Sequence, residues 1–283
     1  MTFLSPPPKV ADTLVAFPGP HVLLVTLNRP TRLNAIHAEQ HRDLDRLWRW
    51  FDAEPSLRCA IITGSGRAFC AGADLAQWND RTNAGNIPDT QKEGLEIFNT
   101  PGFGGLSNRT GKKPIIAAVN GLCLGGGMEM VINCDLVVAG SRGAKFGLPE
   151  VKRGVVALAG ALPRLIRTVG KQRASEMALL GRMYGPDEMK DWGLVNFVVE
   201  GGNEGGVVAE AVRLATEISA NSPDSVITTR EGLTLGWEGM GPMQSTNIVG
   251  KGLYARMDGA ENMKEGLASF MEKRDPVWKD SKL

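Results

Sequence analysis

The sequence between Lys113 and Glu150 decides how this chain folds, and it reads KPIIAAVNGLCLGGGMEMVINCDLVVAGSRGAKFGLPE. The apolar run 114–119 has the length and the β-branched content that are typical of a fully buried strand. Behind three consecutive glycines, a helical pattern runs over 128–134, and a second apolar strand is predicted over 136–139. The stretch therefore predicts a strand, a glycine-rich turn, a short helix and a further strand.

Gly125, Gly126 and Gly127 stand at the mouth of the predicted helix. The first N–H groups of a helix have no partner within it, and glycine lets another molecule approach them closely. Such a position favours negative charge. Gly126 and Glu129 are three residues apart, so they share a helix face. A carboxylate is therefore expected one turn below an exposed N–H group.

Composition argues against several classes of partner. The chain has 283 residues, of which 42% are hydrophobic and 22% charged, as is ordinary for a globular protein. A formal net charge of +1 without a long basic run argues against nucleic acid or an anionic membrane as the main partner. No apolar run approaches the ~18 residues of a transmembrane helix, and residues 1–8 lack the features of a signal peptide. The four scattered cysteines lack zinc spacing, so we expect reduced, mostly buried thiols.

The segments before the central stretch predict two more strands and a helix. Residues 1–20 are proline-rich and are expected to be irregular, and strands are predicted over 22–27 and 59–63. Between these strands, apolar residues from Ile36 to Phe51 recur at helical spacing. Residues 78–111 show no clear element, and a stretch of this length is usually a functional lid or a mobile segment.

The segments after the central stretch become purely helical. Helices are predicted over 160–170 and 171–181, followed by a short strand over 195–199. From residue 207 onward only helical patterns occur. Strands that alternate with helices and then give way to helices alone predict an α/β core with a helical C-terminal part.

Few side chains offer obvious catalytic chemistry. The only histidines are His21, His37 and His41; the last two have the spacing of a zinc pair but no evident third ligand, so solvated helix histidines are expected. The sequence has no Gly-x-Ser-x-Gly elbow and no phosphate-binding loop of the Gly-Lys-Ser type. Two carboxylates beside glycine-rich backbone remain, Glu129 and Glu150. From the residues alone, each is either a catalytic group or an ordinary glutamate.

A set of short motifs runs in order through nearly the whole chain: Leu27-Asn28-Arg29-Pro30, Leu33-Asn34-Ala35, Ala71-Gly72-Ala73-Asp74, residues 114–121, Gly125-Gly126-Gly127-Met128-Glu129 and residues 146–150. In this order they resemble the enoyl-CoA hydratase/isomerase (crotonase) family. Residues 102–106 and 270–279 are similar to the carnitinyl-CoA dehydratase branch of that family.

The resemblance implies a catalytic site of four residues. The two backbone N–H groups that hold the thioester oxygen in the family match Ala73 and Gly126. Preorganised donors of this kind stabilise the enolate-like state by ~3–4 kcal/mol each. The two glutamates of the hydratases match Glu129, assigned as the base that activates water, and Glu150, assigned as the acid that protonates C2, although these roles could be exchanged. Two nearby carboxyl groups in a partly dry pocket do not both ionise readily.

The resemblance also implies where coenzyme A binds. Its adenine end is expected near Arg32, Ala35, Ala71 and Asp74, largely through backbone contacts. The chain departs from the family at residues 157–163, where related hydratases often carry Pro-Gly and a Gly-Gly-Thr turn. Leu158 is bulky at a point where the backbone of relatives helps to position water, so the sequence does not define the shape of the pocket there.

The fold implied by the resemblance is a crotonase (ClpP-like) spiral of repeated ββα units. We expect a core with the CoA-thioester site over residues 1–206 and a helical region that packs on neighbouring subunits over 207–283, in a trimer or a dimer of trimers. The predicted activity is the reversible addition of water to a 2-enoyl-CoA, without a metal or redox cofactor.

Two further expectations concern alternative functions and the cellular location. An enoyl-CoA isomerase, a dehydratase of a specialised acyl-CoA such as a carnitinyl or secondary-metabolite thioester, and a non-catalytic or RNA-binding relative remain open. Ser281-Lys282-Leu283 is the tripeptide that the peroxisomal import receptor reads at a free C-terminus. The expected location is therefore the peroxisome, and otherwise the cytoplasm.

Overall fold

The computed structural model describes residues 3–76, 101–200 and 204–283, with the backbone alone at residues 204 and 205. Its strands are β1 (Thr13–Gly19), β2 (Val22–Leu27), β3 (Cys59–Gly64), β4 (Ala68–Cys70), β5 (Ile115–Val119), β6 (Leu122–Leu124), β7 (Leu136–Gly140), β8 (Lys145–Gly147) and β9 (Phe197–Val199). Its main helices are α1 (Ala38–Ala53), α2 (Gly126–Ile132), α3 (Ala161–Val169), α4 (Lys171–Leu180), α5 (Pro186–Asp191), α6 (Glu204–Ser219), α7 (Pro223–Trp237), α8 (Pro242–Val249), α9 (Ala255–Met257) and α10 (Glu261–Glu272).

The strands form two sheets, and from β3 to β8 successive strands of the chain join the two sheets alternately. The larger sheet has the order β1-β2-β3-β5-β7-β9, and the smaller sheet has the order β4-β6-β8. All neighbouring pairs are parallel except β1 and β2. The pairs β3–β4, β5–β6 and β7–β8 each give one strand to each sheet, so the chain advances as a spiral of two-stranded repeats.

The larger sheet is buried on both faces, as is usual for parallel strands. Alternate residues of its strands point to opposite sides. On one side Ile61, Ile116 and Val138 pack with the apolar face of α6. On the other side Ile62, Ala117 and the remaining alternate residues join a cluster with α1 and the smaller sheet. The core therefore fixes the small sheet, and with it the loops that follow its strands.

Two local expectations were wrong. Residues 1–20 are not wholly irregular, because β1 pairs antiparallel with β2 through registers such as Val15 with Val25. The alternating half-exposed pattern of this edge strand is hidden in the sequence by Pro18 and Gly19. Ile36 precedes α1 instead of belonging to it and forms an isolated parallel bridge with Ala73.

The segment 78–111, predicted to be a functional lid or a mobile segment, is described only in part. Residues 77–100 lie outside the described residues, while Phe103–Gly105 forms a short 3-10 turn. None of the described helices combines the length and the apolar character that a membrane span requires.

The C-terminal part is helical, as predicted, with one interruption in the regular α-helices. A π-helical turn at Gly250–Tyr254, with a kink at Gly252, separates α8 from α9. The expected division at residue 206 falls inside α6, and Val207, Ala211 and Ala215 of that helix pack on the larger sheet. The two-part organisation stays a prediction.

Candidate active site

The loops that follow the three strands of the small sheet meet at one edge. Ala73 is the third residue after β4, Gly126 the second after β6, and Glu150 the third after β8. Because the carboxyl ends of parallel strands lie on the same side of a sheet, these loops are neighbours, as at the ligand crevices of other parallel sheets. The spiral thus brings together residues that are far apart in the sequence.

Two backbone N–H groups are available in this crevice. The bridge between Ile36 and Ala73 uses the N–H of Ile36, which donates to Gly72 O at 3.0 Å, and the N–H of Asp74, which donates to Ile36 O at 3.1 Å. The amide of Ala73 itself therefore points away from the bridge. In the part of the chain that the structure describes, neither Ala73 N–H nor Gly126 N–H has a hydrogen-bond partner.

Glycine backbones let the groups of the crevice approach one another. Gly72 has φ +98°, and a Cβ there would lie 3.3 Å from the N atom of Gly126. Gly125 has φ +56°, and a Cβ there would lie 3.2 Å from Oε1 of Glu150. The loop of Ala73, the start of α2 and the Glu150 carboxyl group are thus in direct proximity.

Glu129 lies on α2, one turn after Gly126, and is 5% exposed. Its Oε2 accepts a hydrogen bond from the N–H of Ala161 at 3.2 Å. Burial raises the pKa of Glu129 to about 7, and the nearby Glu150 carboxylate adds to the rise. Hydrogen bonds from the backbone of Ala161 and Ala159, and the charge of Arg164, oppose it. Glu129 can therefore exchange a proton near neutral pH.

Glu150 opens a short 3-10 turn directly after Pro149 and is half-buried. Burial raises the pKa of this carboxyl group as well. Its Oε2 is buried, and no described residue forms a hydrogen bond with it. A buried carboxyl oxygen without a partner is costly unless a ligand or water satisfies it.

The arrangement suits one kind of chemistry. Two free amides can hold a developing negative charge, and two carboxyl groups with raised pKa values can deliver and accept protons beside it. The structure brings Ala73, Gly126, Glu129 and Glu150 into one crevice, while their roles stay a prediction. Among the described residues no group of three or more His, Cys, Asp or Glu side chains could hold a metal ion.

The residues expected near coenzyme A lie along the neighbouring edge. Arg29 joins two of them, because its Nη1 donates to Ala35 O at 2.6 Å and its Nη2 pairs with Asp74 at 3.1 Å. The N–H of Ala71 donates to Leu33 O at 3.0 Å, and Arg32 is exposed. The carbonyl of Ala35 and the carboxylate of Asp74 are thus engaged within the chain, and contact of these residues with coenzyme A stays a prediction.

Several contributors to the site were missed from the sequence. The amides of Ala159 and Ala161 support Glu129, and the ring of Phe103 lies against Gly126, where a Cβ would come within 2.5 Å of it. Leu158, the unusual residue of this segment, is 56% exposed. The signals available were Gly160 and the glycines beside Phe103, which permit sharp turns but do not reveal their partners.

The expectation of solvated histidines was wrong for His41. Its Nδ1 accepts a hydrogen bond from the N–H of Gly104 at 2.9 Å, and its ring stands edge-on to Phe103 with the centroids 4.4 Å apart. Burial, and then the charges of His37 and Arg42, lower the pKa of His41 to about 4. His41 is therefore a neutral residue that supports the loop over Gly126.

Comparison with known proteins shows the family. The model of the family "Enoyl-CoA hydratase/isomerase" matches residues 19–281. The chain is 60% identical over 283 residues to a mevalonyl-coenzyme A hydratase of Beauveria bassiana, with 100% of both chains covered. It is 52% identical over 276 residues to a mevalonyl-coenzyme A hydratase of Aspergillus fumigatus, with 98% of both covered. The crystal structure of an enoyl-CoA hydratase from Bacillus anthracis matches with a TM-score of 0.83 at 30% identity, covering 95% of this chain and 100% of that one.

The chain belongs to the enoyl-CoA hydratase/isomerase family, and the predicted resemblance and crotonase fold are confirmed. It is an enzyme of the hydratase type, which adds water reversibly across the double bond of a 2-enoyl-CoA thioester. The predicted reaction class is thereby confirmed.

Proposed function

We propose that the particular substrate of this hydratase is mevalonyl-CoA. The proposal is carried by the identity of 60% over the whole chain to a relative named for that thioester. A mevalonyl group is a 3-hydroxyacyl group with a 3-methyl and a 5-hydroxyl substituent, so the family reaction on it is the removal of water. The proton leaves C2, the hydroxyl group leaves C3, and 5-hydroxy-3-methylpent-2-enoyl-CoA and water are formed.

The thioester oxygen is proposed to bind the free N–H groups of Ala73 and Gly126. Loss of the C2 proton places negative charge on this oxygen, and the two amides stabilise that charge without reorganisation. Helix α2 adds the positive end of its dipole at Gly126. Binding the transition state more strongly than the ground state is what accelerates the step.

The two carboxyl groups are proposed to divide the proton transfers. For dehydration, Glu150 takes the proton from C2, and its buried Oε2 without a partner among the described residues supports this role. Glu129 donates a proton to the departing 3-hydroxyl group, since a carboxyl group with a pKa of about 7 is partly protonated at neutral pH. In the hydration direction Glu129 activates water and Glu150 protonates C2.

The experiment is a comparison of thioesters with the purified enzyme. Mevalonyl-CoA and crotonyl-CoA are offered separately, and products are identified by chromatography and mass spectrometry. We expect loss of water from mevalonyl-CoA with a higher kcat/KM than for hydration of crotonyl-CoA. Turnover of crotonyl-CoA alone would contradict the assigned substrate, and migration of a double bond without water would indicate an isomerase.

We also propose that the reaction needs no metal or redox cofactor. Water addition and removal leave the total oxidation state unchanged, and the two amides supply the charge stabilisation for which other enzymes use a Lewis acid. Exhaustive dialysis against a chelator should leave kcat unchanged. Loss of activity that is restored by a divalent cation would refute this proposal.

We propose a peroxisomal location, which rests on Ser281-Lys282-Leu283. The full chain with a fluorescent protein fused to its N-terminus should enter peroxisomes. The same fusion without residues 281–283 should remain in the cytosol. Cytosolic fluorescence from both fusions would refute the location.

We propose that the enzyme assembles as a trimer or a dimer of trimers. Support comes from the C-terminal helices, which expose the large apolar side chains of Leu233, Met243, Leu267, Phe270 and Met271. Light scattering on the eluting protein should give three or six times the mass of the chain. A monomer at micromolar concentration would contradict the proposal.

A further inference from the structure

We propose that Arg164 is a positioning residue for the catalytic crevice, which ties the backbone that supports Glu129 to the loop that covers Gly126. The inference rests on the proposed roles of Glu129 and Gly126 and adds a residue to them. Arg164 lies on α3 and is 7% exposed. None of the sequence motifs that carry the family resemblance includes it.

Arg164 joins two segments that are distant in the sequence. Its Nη1 donates to the carbonyl of Ser107 at 2.8 Å and to Oδ1 of Asn108 at 2.6 Å. The same nitrogen reaches Gly160 O at 3.4 Å, one residue before Ala161, whose N–H binds Glu129. A guanidinium group presents several donors in a rigid plane, so it can hold both segments at fixed distances.

The turn at Gly160 is shaped for this contact. Gly160 has φ +106°, and a Cβ there would overlap Asn108 Oδ1 and Arg164 Nη1. The space that a side chain would fill is thus occupied by the hydrogen bond between Arg164 and Asn108. A glycine is required at this position both for its backbone conformation and for the approach of the guanidinium group.

Ser107 closes the second half of the connection. Its Oγ donates to Ala159 O at 2.6 Å and accepts the N–H of Phe103 at 2.7 Å. The ring of Phe103 lies against Gly126, one of the two proposed oxyanion donors. Movement of the Ser107 backbone would therefore disturb the cover of Gly126 and the support of Glu129 together.

The charge of Arg164 also acts on the crevice. Among the described residues, Glu150 raises the pKa of Glu129 and Arg164 lowers it. Arg164 is itself paired at 2.7 Å with Glu238, which follows α7 in the helical C-terminal part and is 45% exposed. Glu238 thus partly neutralises the cation beside the catalytic carboxyl group.

The test compares Arg164→Lys, Arg164→Gln and Glu238→Gln with the wild-type enzyme on a thioester that the wild type turns over. Arg164→Lys keeps the charge and loses the rigid planar donors of the guanidinium group. We therefore expect kcat to fall about 10- to 100-fold with KM nearly unchanged. Arg167→Lys is the matched control, since Arg167 lies on the same helix and contacts Trp237 O instead of the crevice. It should keep the wild-type kcat.

The pH profile of kcat provides the readout that a merely structural residue would not move. In Arg164→Gln the limb assigned to Glu129 should move to higher pH, because a cation that lowers the pKa of Glu129 is lost. In Glu238→Gln the limb should move to lower pH, because the charge of Arg164 is no longer shared. Glu238 is partly exposed, so this variant should fold even if the Arg164 variants do not.

The outcomes separate this inference from the proposed function. Opposite displacements of the limb, together with loss of kcat in Arg164→Lys, support it. A wild-type kcat in Arg164→Lys overturns it, and so does an unmoved limb in Glu238→Gln. If the wild type turns over no thioester at all, the proposed function has failed first.

Discussion

Glu129 and Glu150 share a crevice that disfavours their charges, and the proposed mechanism needs both. We predict that Glu129→Gln and Glu150→Gln each lower kcat by ~10²-fold or more, because an amide can neither accept nor deliver the transferred proton. Turnover is measured by product formation, with Glu217→Gln, which changes an exposed side chain, as the control. A near-wild-type rate for either crevice variant would remove that residue from the mechanism.

The raised pKa of Glu129 has a consequence for stability. The pKa is about 7 in the folded protein against an ordinary 4.5, so between these values the unfolded chain ionises first and stability falls as pH rises. Glu129→Gln removes this loss. Relative to wild type, the variant should gain up to about 3 kcal/mol between pH 4.5 and pH 8.

Denaturant unfolding at several pH values measures this gain. Glu217→Gln again serves as the control for replacing a glutamate by glutamine at an exposed position. A difference for Glu129→Gln that stays constant from pH 4.5 to pH 8 would show that the carboxyl group is not held near neutrality.

The sequence motifs identify Glu129 and Glu150 as candidate residues and miss what supports Glu129, for a physical reason. Glu129 stands one turn from Gly126 in the same short motif, so the family resemblance identifies both residues together. The bond from Ala161 to Glu129 spans 32 positions, and the bond from Arg164 to Ser107 spans 57. Such contacts depend on how the spiral closes, and no local pattern encodes them.

At the scale of elements, the site depends on turns where backbones nearly touch. We predict that Gly72→Ala lowers kcat by about 10- to 100-fold, because a Cβ at Gly72 would press on the N atom of Gly126 at 3.3 Å. The variant also carries the strain of an L-residue at φ +98°, a loss of about 1–3 kcal/mol.

Gly170→Ala separates these two effects. Gly170 has a comparable φ of +82°, but no atom lies within 4 Å of a Cβ built there. It should lose similar stability and keep its kcat. Equal kcat values in both variants would show that the contact with Gly126 does not matter for the reaction.

The accuracy with which each strand was predicted depends on how long a buried apolar run it contains. Strands β2, β3, β5 and β7 are buried apolar runs, and the sequence identifies them nearly to the residue. The strands of the small sheet have three residues each, which is too few to show a periodic pattern of hydrophobic residues. Their loops nevertheless position the whole site, so the motifs had to be recognised directly.

At the scale of the molecule, the helical C-terminal part is joined to the core by charge as well as by apolar contact. Arg230 of α7 pairs with Asp135 at 2.8 Å, and Asp135 also accepts the N–H of Ile115 at the start of β5. We predict that Arg230→Gln lowers the free energy of unfolding by ~1–3 kcal/mol, because Asp135 loses its charged hydrogen bond to a buried guanidinium group.

Arg213→Gln is the matched control, since Arg213 pairs with Glu210 and Glu217 on the exposed side of a C-terminal helix. It should change stability by less than about 0.5 kcal/mol. Both variants should unfold in one transition, because α6 packs directly on the sheet. Two transitions in Arg230→Gln would show instead that the C-terminal helices unfold as a separate unit.

The proposed oxyanion donors are main-chain N–H groups, and this affects how the substrate selection of such an enzyme can change in evolution. Every amino acid except proline carries the same N–H group, so a mutational scan at Ala73 reports tolerance for volume and is blind to the donor. At Gly126 any side chain collides with Phe103, and a scan there measures that collision. Descendants can therefore exchange the side chains that select the acyl group while they inherit the charge-stabilising step unchanged.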